Sequence, residues 1–179
     1  MYLTQDANDA ALVERVLAGD TEAFAPLVDR YQRVLFTVAL RMLGNRADAA
    51  DVTQTAFVKA FEKLGSYDPQ HRFFSWIYRI ALNESLNVQR ARRPLEPLDA
   101  DYPVAAAEAG GLELAERRDR VQAALLRLPP DYREAIVLRY FADLSYDEIA
   151  AAVAVPVKTV KSRLYSGRQR LAGLLGAFE

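Results

Sequence analysis

Leu144–Leu171 reads LSYDEIAAAVAVPVKTVKSRLYSGRQRL, and the fold of its half of the chain turns on this stretch. Ser145 stands where a helix N-cap belongs, Glu148 three positions on can return a bond to the cap, and Leu144 can pack on Ile149 as a hydrophobic staple. The apolar stripe of this first helix ends at Val153. Ala154-Val155-Pro156 is predicted to form a turn, and Pro156 suits the entry to a second helix from Val157 towards Leu175. Two helices joined by a short turn are the pattern of a helix-turn-helix, whose second helix lies on DNA.

At about 100° per residue, Val157, Val160, Leu164, Leu171 and Leu174 share one face of the second helix. Lys158, Thr159, Ser162, Tyr165, Ser166 and Gln169 lie opposite them. Lys161 and Arg168 flank that polar face on one side, and Arg163 and Arg170 on the other, so cations can straddle a groove while central residues meet base edges. Between Ile149 and Phe178 there is no acidic residue. A solvated basic helix would need neither the cap nor the turn nor an acid-free run.

The rest of the chain sets bounds on function. The 179 residues carry 23 basic and 24 acidic side chains, a net charge of −1, so any polyanion contact is local. One concentration is the helix just described; the other is His71–Arg93, with Arg72, Arg79, Arg90, Arg92 and Arg93 against Glu84 alone. There is no cysteine, which excludes disulfides, thiolate metal sites and cysteine catalysis and fits a reducing cytoplasm. The opening MYLTQDAND is no signal peptide, and the apolar run Val34–Leu40 is far short of the roughly 20 residues a membrane helix needs. No phosphate loop, HExxH or nucleophile elbow occurs, so neither an enzyme nor a cofactor is expected.

Helical periodicity runs throughout and no period-two strand pattern interrupts it. Leu12, Val13, Val16 and Leu17 predict a short helix closed by Gly19. Phe24, Leu27, Val28, Tyr31, Leu35, Val38 and Met42 predict a long one over 21–43, ended by Gly44. Asn45 is a cap for the next, with Ala50, Phe57, Phe61 and Leu64 as its core stripe and Gly65 as its stop. After a loop holding Pro69, Phe73–Arg93 reads as a helix apolar nearly all round, with Phe74 and Ile77 expected in the core. Pro94–Gly111 (PLEPLDADYPVAAAEAGG) has three prolines, the acids Glu96, Asp99, Asp101 and Glu108, and no base; it reads as a flexible linker. Beyond it, Val121, Ala124, Leu125 and Leu128 predict a helix, and Asp131 with Glu134 a capping-box restart through Phe141. The expectation is an all-α chain of two small helical domains, 1–93 and 112–179, joined by residues 94–111.

FFSWIYRIALNESLNVQRARR (Phe73–Arg93), followed by a short linker and then LPPDYREAIVLRYFADLSYDEIAAAVAVPVKTVKSRLYSGRQRL (Leu128–Leu171), resembles the bacterial RNA polymerase sigma factors of the extracytoplasmic-function group, part of the sigma-70 family. The resemblance covers about 22–92 and 115–176, the regions 2 and 4 of that group. It implies that Ala47–Leu64 docks on the clamp helices of the polymerase's largest subunit through Asp48, Asp51 and Gln54; Thr55 stands where the group often has an acid. It implies that Ser66–Arg93 reads and opens the minus-ten element. Freed bases must be held by stacking, pockets and cations, and His71, Arg72, Trp76, Asn83, Asn87 and Arg90 are of the kinds required.

For the minus-thirty-five element the resemblance implies Lys158, Thr159, Lys161, Ser162, Arg163, Tyr165 and Arg168. Ala154 replaces a common turn glycine and Lys158 another small residue, so the turn and the first base contact are expected to differ. The implied partners are core RNA polymerase, promoter DNA and an anti-sigma factor, which would hold a cytoplasmic protein at the inner membrane without the chain itself entering it; no small-molecule substrate is expected. A stand-alone regulator with a sensing N-terminal domain would share the helix-turn-helix, but would leave the aromatic, arginine-rich end of the first domain without a purpose.

Overall fold

The computed structural model describes residues 3–91 and 112–176, with side chains from 8–91 and 116–176. The predicted linker, Arg92 and Arg93 lie outside the described residues. Every regular element described is helical: α1 (Leu3–Leu17), α2 (Ala25–Leu43), α3 (Arg46–Glu62) and α4 (Phe73–Ala91) form the first domain, and α5 (Leu112–Arg127), α6 (Pro130–Tyr140), α7 (Tyr146–Val153) and α8 (Val157–Gly176) the second.

In the first domain α2, α3 and α4 pack on one another around Leu27, Leu35, Val38, Met42, Phe73, Ile77 and Tyr78, all fully buried. Phe74, expected beside Ile77, is only partly buried and leans on Tyr31 and Tyr78. α1 is fastened by a polar contact within this apolar setting: buried Asp9 accepts hydrogen bonds from Arg30 and from the Tyr31 hydroxyl. The guanidinium balances the carboxylate charge, which makes the burial tolerable. Asn45 caps α3 as expected, its side chain accepting from the Asp48 backbone at 3.1 Å.

Several boundaries differ from expectation for local reasons. The long second helix is a 3-10 turn over Thr21–Phe24 before α2 begins at Ala25, because Pro26 in the first turn of α2 lacks the N–H that continuation from Thr21 would need. α3 ends at Glu62, and Gly65 sits inside a 3-10 turn, Leu64–Ser66. Phe61 is not core: it is 42% exposed and meets Phe24 edge-on at 5.2 Å. Asp131 does not cap α6. Pro129 takes the cap position, Pro130 starts the helix with a preset φ, and the Asp131 carboxylate goes to Arg163.

In the second domain Leu125, Leu128, Ile136, Leu138, Leu144, Ile149, Val160 and Leu164 make the core. Ser145 and Glu148 complete the capping box of α7 in both directions. α8 crosses α6 closely at Gly167, where a Cβ would stand 3.1 Å from Ile136 Cγ1. That is why glycine lies on the buried face of an otherwise ordinary helix.

Ala154 ends α7 in the left-handed region, at φ 54 and ψ 46. A Cβ there meets the backbone at a cost of roughly 1–2 kcal/mol, part of which glycine would return as chain entropy. Ala154→Gly should therefore stabilise the second domain by about 0.5–1 kcal/mol, read as a rise in melting temperature; a fall would mean that the turn is not strained.

Candidate nucleic-acid and polymerase interfaces

Three exposed surfaces gather the residues singled out from sequence. The first is the outer face of α8. Because Val160, Leu164 and Gly167 face inward, Lys158, Lys161, Ser162, Tyr165 and Arg168 stand exposed, with Thr159 half-buried among them. The Tyr165 hydroxyl accepts a hydrogen bond from Gln169 Nε2 at 2.9 Å, which fixes the ring against its own helix with the O–H still free to donate outward.

Arg163 sits differently from its neighbours. It turns back to α6, bonding Asp131 Oδ2 at 2.8 Å and lying 3.7 Å from Glu134 Oε2, with its side chain only 20% exposed. Arg170 likewise lies over the Tyr132 ring at 5.1 Å. Sequence spacing put both on the flank of the polar face. The acidic first turn of α6, invisible to a helical wheel of α8, is what draws Arg163 away. Burial pushes the Glu134 carboxyl up to about 7, with Arg163 opposing and Asp131 reinforcing the shift.

The second surface is a stripe along α4. Trp76 is half-buried, packed against Tyr67 and Phe73 with ring centroids 5.5 and 5.6 Å away. The Tyr67 hydroxyl donates to the His71 carbonyl at 2.6 Å, fastening the loop before α4. From Trp76 the stripe continues through exposed Asn83, Asn87 and Arg90. Exposed Arg79 lies between Trp76 and Asn83 at three- and four-residue steps, and sequence reasoning did not single it out for this surface. His71 is exposed at the loop end. Arg72 is ion-paired with Glu148 of α7, in the other domain.

The third surface is a groove of about 720 Å³ between α2 and α3. Val28, Phe36, Phe57 and Val58 make it apolar, and Asp29 and Gln54 bring polar groups to it. Asp51 is exposed and Asp48 half-buried on α3, neither lining the groove. Val58, 52% exposed one turn beyond Gln54, was missed from sequence because it falls outside the core stripe of α3. An apolar residue on a polar helix face was the available signal.

All three surfaces lie in stretches that match known families. Residues 27–94 match the family model for sigma-70 region 2, and residues 118–171 that for sigma-70 region 4. The chain belongs to the sigma-70 family. The ECF RNA polymerase sigma-E factor of Escherichia coli K12 is 38% identical, covering 94% of this chain and 95% of that protein. The RNA polymerase sigma-H factor of Pseudomonas aeruginosa is 38% identical over 94% of each, and the ECF sigma factor SigW of Bacillus subtilis 36% identical over 89% and 92%. Among solved structures, CnrH in complex with the cytosolic domain of CnrY superposes with a TM-score of 0.78 at 30% identity, over 96% of this chain and 99% of that one. The sigma factor RpoE of Bartonella quintana, in complex with the anti-sigma factor NepR, gives 0.72 at 26% identity, over 86% and 96%. The chain is thus an extracytoplasmic-function sigma factor, built of regions 2 and 4.

The raised Glu134 carboxyl yields a test of the region 4 geometry. Between about pH 4.5 and 7 the folded domain holds a proton that the unfolded chain releases, so this group's contribution to stability falls as pH rises through that window. Glu134→Gln should flatten the dependence of melting temperature on pH between about 5 and 8; an unchanged slope would mean that Glu134 is ionised in the fold.

Proposed function

We propose that the chain joins core RNA polymerase through the α2/α3 groove and brings it to a promoter read by α8 and α4. The observation that carries this reading is the pairing, in one chain, of a helix-turn-helix with exposed cations and a separate stripe of amides and arginines. In it, residues 1–93 form the polymerase- and minus-ten-binding unit, 94–111 the connection, and 112–179 the minus-thirty-five-binding unit. Asp51 and Gln54, with Val58 beside them and Asp48 at the start of α3, meet the clamp helices.

On the promoter, α8 enters the major groove with Lys158, Thr159, Ser162 and Tyr165 toward base edges and Lys161 and Arg168 toward the backbone. Arg163 braces α8 against α6, which leaves Lys161 and Arg168 to meet phosphates. Along α4, Asn83 and Asn87 offer amides to the unstacked non-template strand, Arg79 and Arg90 follow its phosphates, and Trp76, backed by Tyr67, presents an edge on which a base can stack. His71 and Arg72 meet the duplex where opening begins. The chain supplies binding energy for strand opening, and the polymerase supplies the catalysis.

An anti-sigma factor is the proposed antagonist, as CnrH and the Bartonella RpoE each have a protein bound. Among the described residues no helix is long and apolar enough to cross a membrane. We place the chain in the cytoplasm, held at the inner membrane only through such an antagonist.

Run-off transcription with core polymerase tests the reading: a defined product is expected, and Asn83→Ala with Asn87→Ala should keep polymerase binding while abolishing permanganate-reactive thymines at the start site. No product from any promoter in a genomic library would contradict the function, and normal thymine reactivity in the double variant would contradict the role of the amides. The two cations of α8 can be told apart by salt titration on a minus-thirty-five duplex. Lys161→Ala should reduce the slope of log affinity against log salt by about 0.9, one phosphate's worth of counterions. Arg163→Met should leave the slope within error and lower the melting temperature; equal slopes for both variants would overturn the division.

A further inference from the structure

Tyr165 stands out from the middle of α8, 60% exposed, on a helix whose opposite side is locked in place. Leu164 just before it is buried, and Gly167 just after it lies so close to α6 that a Cβ would stand 3.1 Å from Ile136 Cγ1. The backbone beneath the ring is therefore rigid, and what remains to be set is the side chain. Gln169 sets it: one turn further on, its Nε2 donates to the Tyr165 hydroxyl at 2.9 Å. Residues four apart meet on a helix surface, so the bond costs no distortion of α8. Gln169 is exposed on the same face as Lys161, Ser162 and Arg168.

The direction of this bond has a chemical consequence. A phenol has a single O–H to give and lone pairs with which to receive. Here the amide gives and the phenol oxygen receives, so the group that Tyr165 turns outward is its proton. Base edges in the major groove differ in the same respect. Guanine shows only acceptors, N7 and O6; cytosine shows a donor amino group; adenine shows one of each, and thymine an acceptor beside its methyl group. A hydroxyl of unset direction pairs with any of them. One held as a donor matches guanine and leaves the amino group of cytosine facing another proton.

We propose that Gln169 is a positioning residue for sequence readout: by donating to the Tyr165 hydroxyl it holds that group as a hydrogen-bond donor, so that α8 selects guanine against cytosine at the base Tyr165 meets. The proposal rests on the reading of α8 as the helix that enters the major groove of the minus-thirty-five element. Gln169 governs base choice through Tyr165 and not by a contact of its own. Glutamate at this position inverts the arrangement with little change of shape. A carboxylate only accepts, so the Tyr165 proton turns to it and the phenol oxygen faces the groove with lone pairs alone, which match the amino group of cytosine.

The test uses the full chain with core polymerase on a pool of promoter duplexes randomised across the minus-thirty-five element, the bound fraction being sequenced. Tyr165→Phe identifies the position, as the one where preference for guanine over cytosine disappears. There the wild-type chain should favour guanine about fivefold, one hydrogen bond's worth. The guanine-to-cytosine ratio is the readout because the thymine methyl group can also touch the ring. Gln169→Glu should reverse the ratio, while affinity for every sequence falls because a carboxylate is brought near phosphates; Gln169→Leu should only weaken it. In the Tyr165→Phe background Gln169→Glu should no longer alter base choice. Both residues are exposed, so melting temperatures should stay at the wild-type value, which separates this role from a structural one. A ratio that Gln169→Glu does not reverse would overturn the proposal. So would a reversal that persists without the Tyr165 hydroxyl, which would make Gln169 a base reader itself. In either case sequence selection by the wild-type chain would still support the reading of α8, whereas a pool bound without preference at any minus-thirty-five position would overturn both.

Discussion

A single guanidinium, that of Arg133, lies where two helix ends meet, and much of the molecule's arrangement depends on it. The carboxyl ends of α2 and α5 present main-chain carbonyls to each other, an approach that electrostatics alone would oppose. Arg133 is buried, and burial lowers its pKa. Its charge is met by main-chain dipoles in place of a carboxylate. Removing the cation would take this donor from the Leu126 and Leu128 carbonyls of its own domain, while the Met42 carbonyl keeps Gln89 Nε2 at 2.6 Å.

Charge is divided between structure and function residue by residue. Within α8, Arg163 serves the packing on α6 while Lys161 and Arg168 face solvent. Along α4, Arg79 and Arg90 are exposed, while Arg72, just before the helix, is taken by Glu148, a residue that also closes the cap of α7. Burial raises the Glu148 carboxyl, but hydrogen bonds from the Ser145 hydroxyl and backbone N–H, with the Arg72 guanidinium, outweigh it and hold the carboxyl below its ordinary value. A net charge near zero thus conceals a molecule in which some cations brace the fold while others face solvent.

Most of the fold was legible in the sequence because it rests on local chemistry. Asn45, the Ser145–Glu148 box, the turn before Pro156 and the periodicity of α2 and α8 each act within a few residues, and each appears where expected. Prolines shifted two boundaries, at Pro26 and Pro130, where the missing N–H and fixed φ outweighed the capping pattern. What sequence could not reveal depends on contacts across long separations. Arg163 with Asp131, Gly167 against Ile136, and Arg133 on Met42 all join residues far apart in the chain, and no helical wheel contains the partner. The same holds for the groove, where Val58 acquires meaning only once Val28 and Phe36 of α2 stand opposite.

The two domains touch in the free chain, α2 against α5 and α6 and α4 against α7, and a promoter that engages both α4 and α8 sets the distance between them. Energy transfer between dyes on cysteines placed at two exposed sites, Glu62→Cys at the end of α3 and Ala172→Cys on α8, measures it directly in a chain with no cysteine of its own. A single population of high transfer is expected for the free protein, and its loss when core polymerase and a promoter carrying both elements are added. Transfer that stays high in a transcribing complex, or is already low in the free chain, would contradict the account.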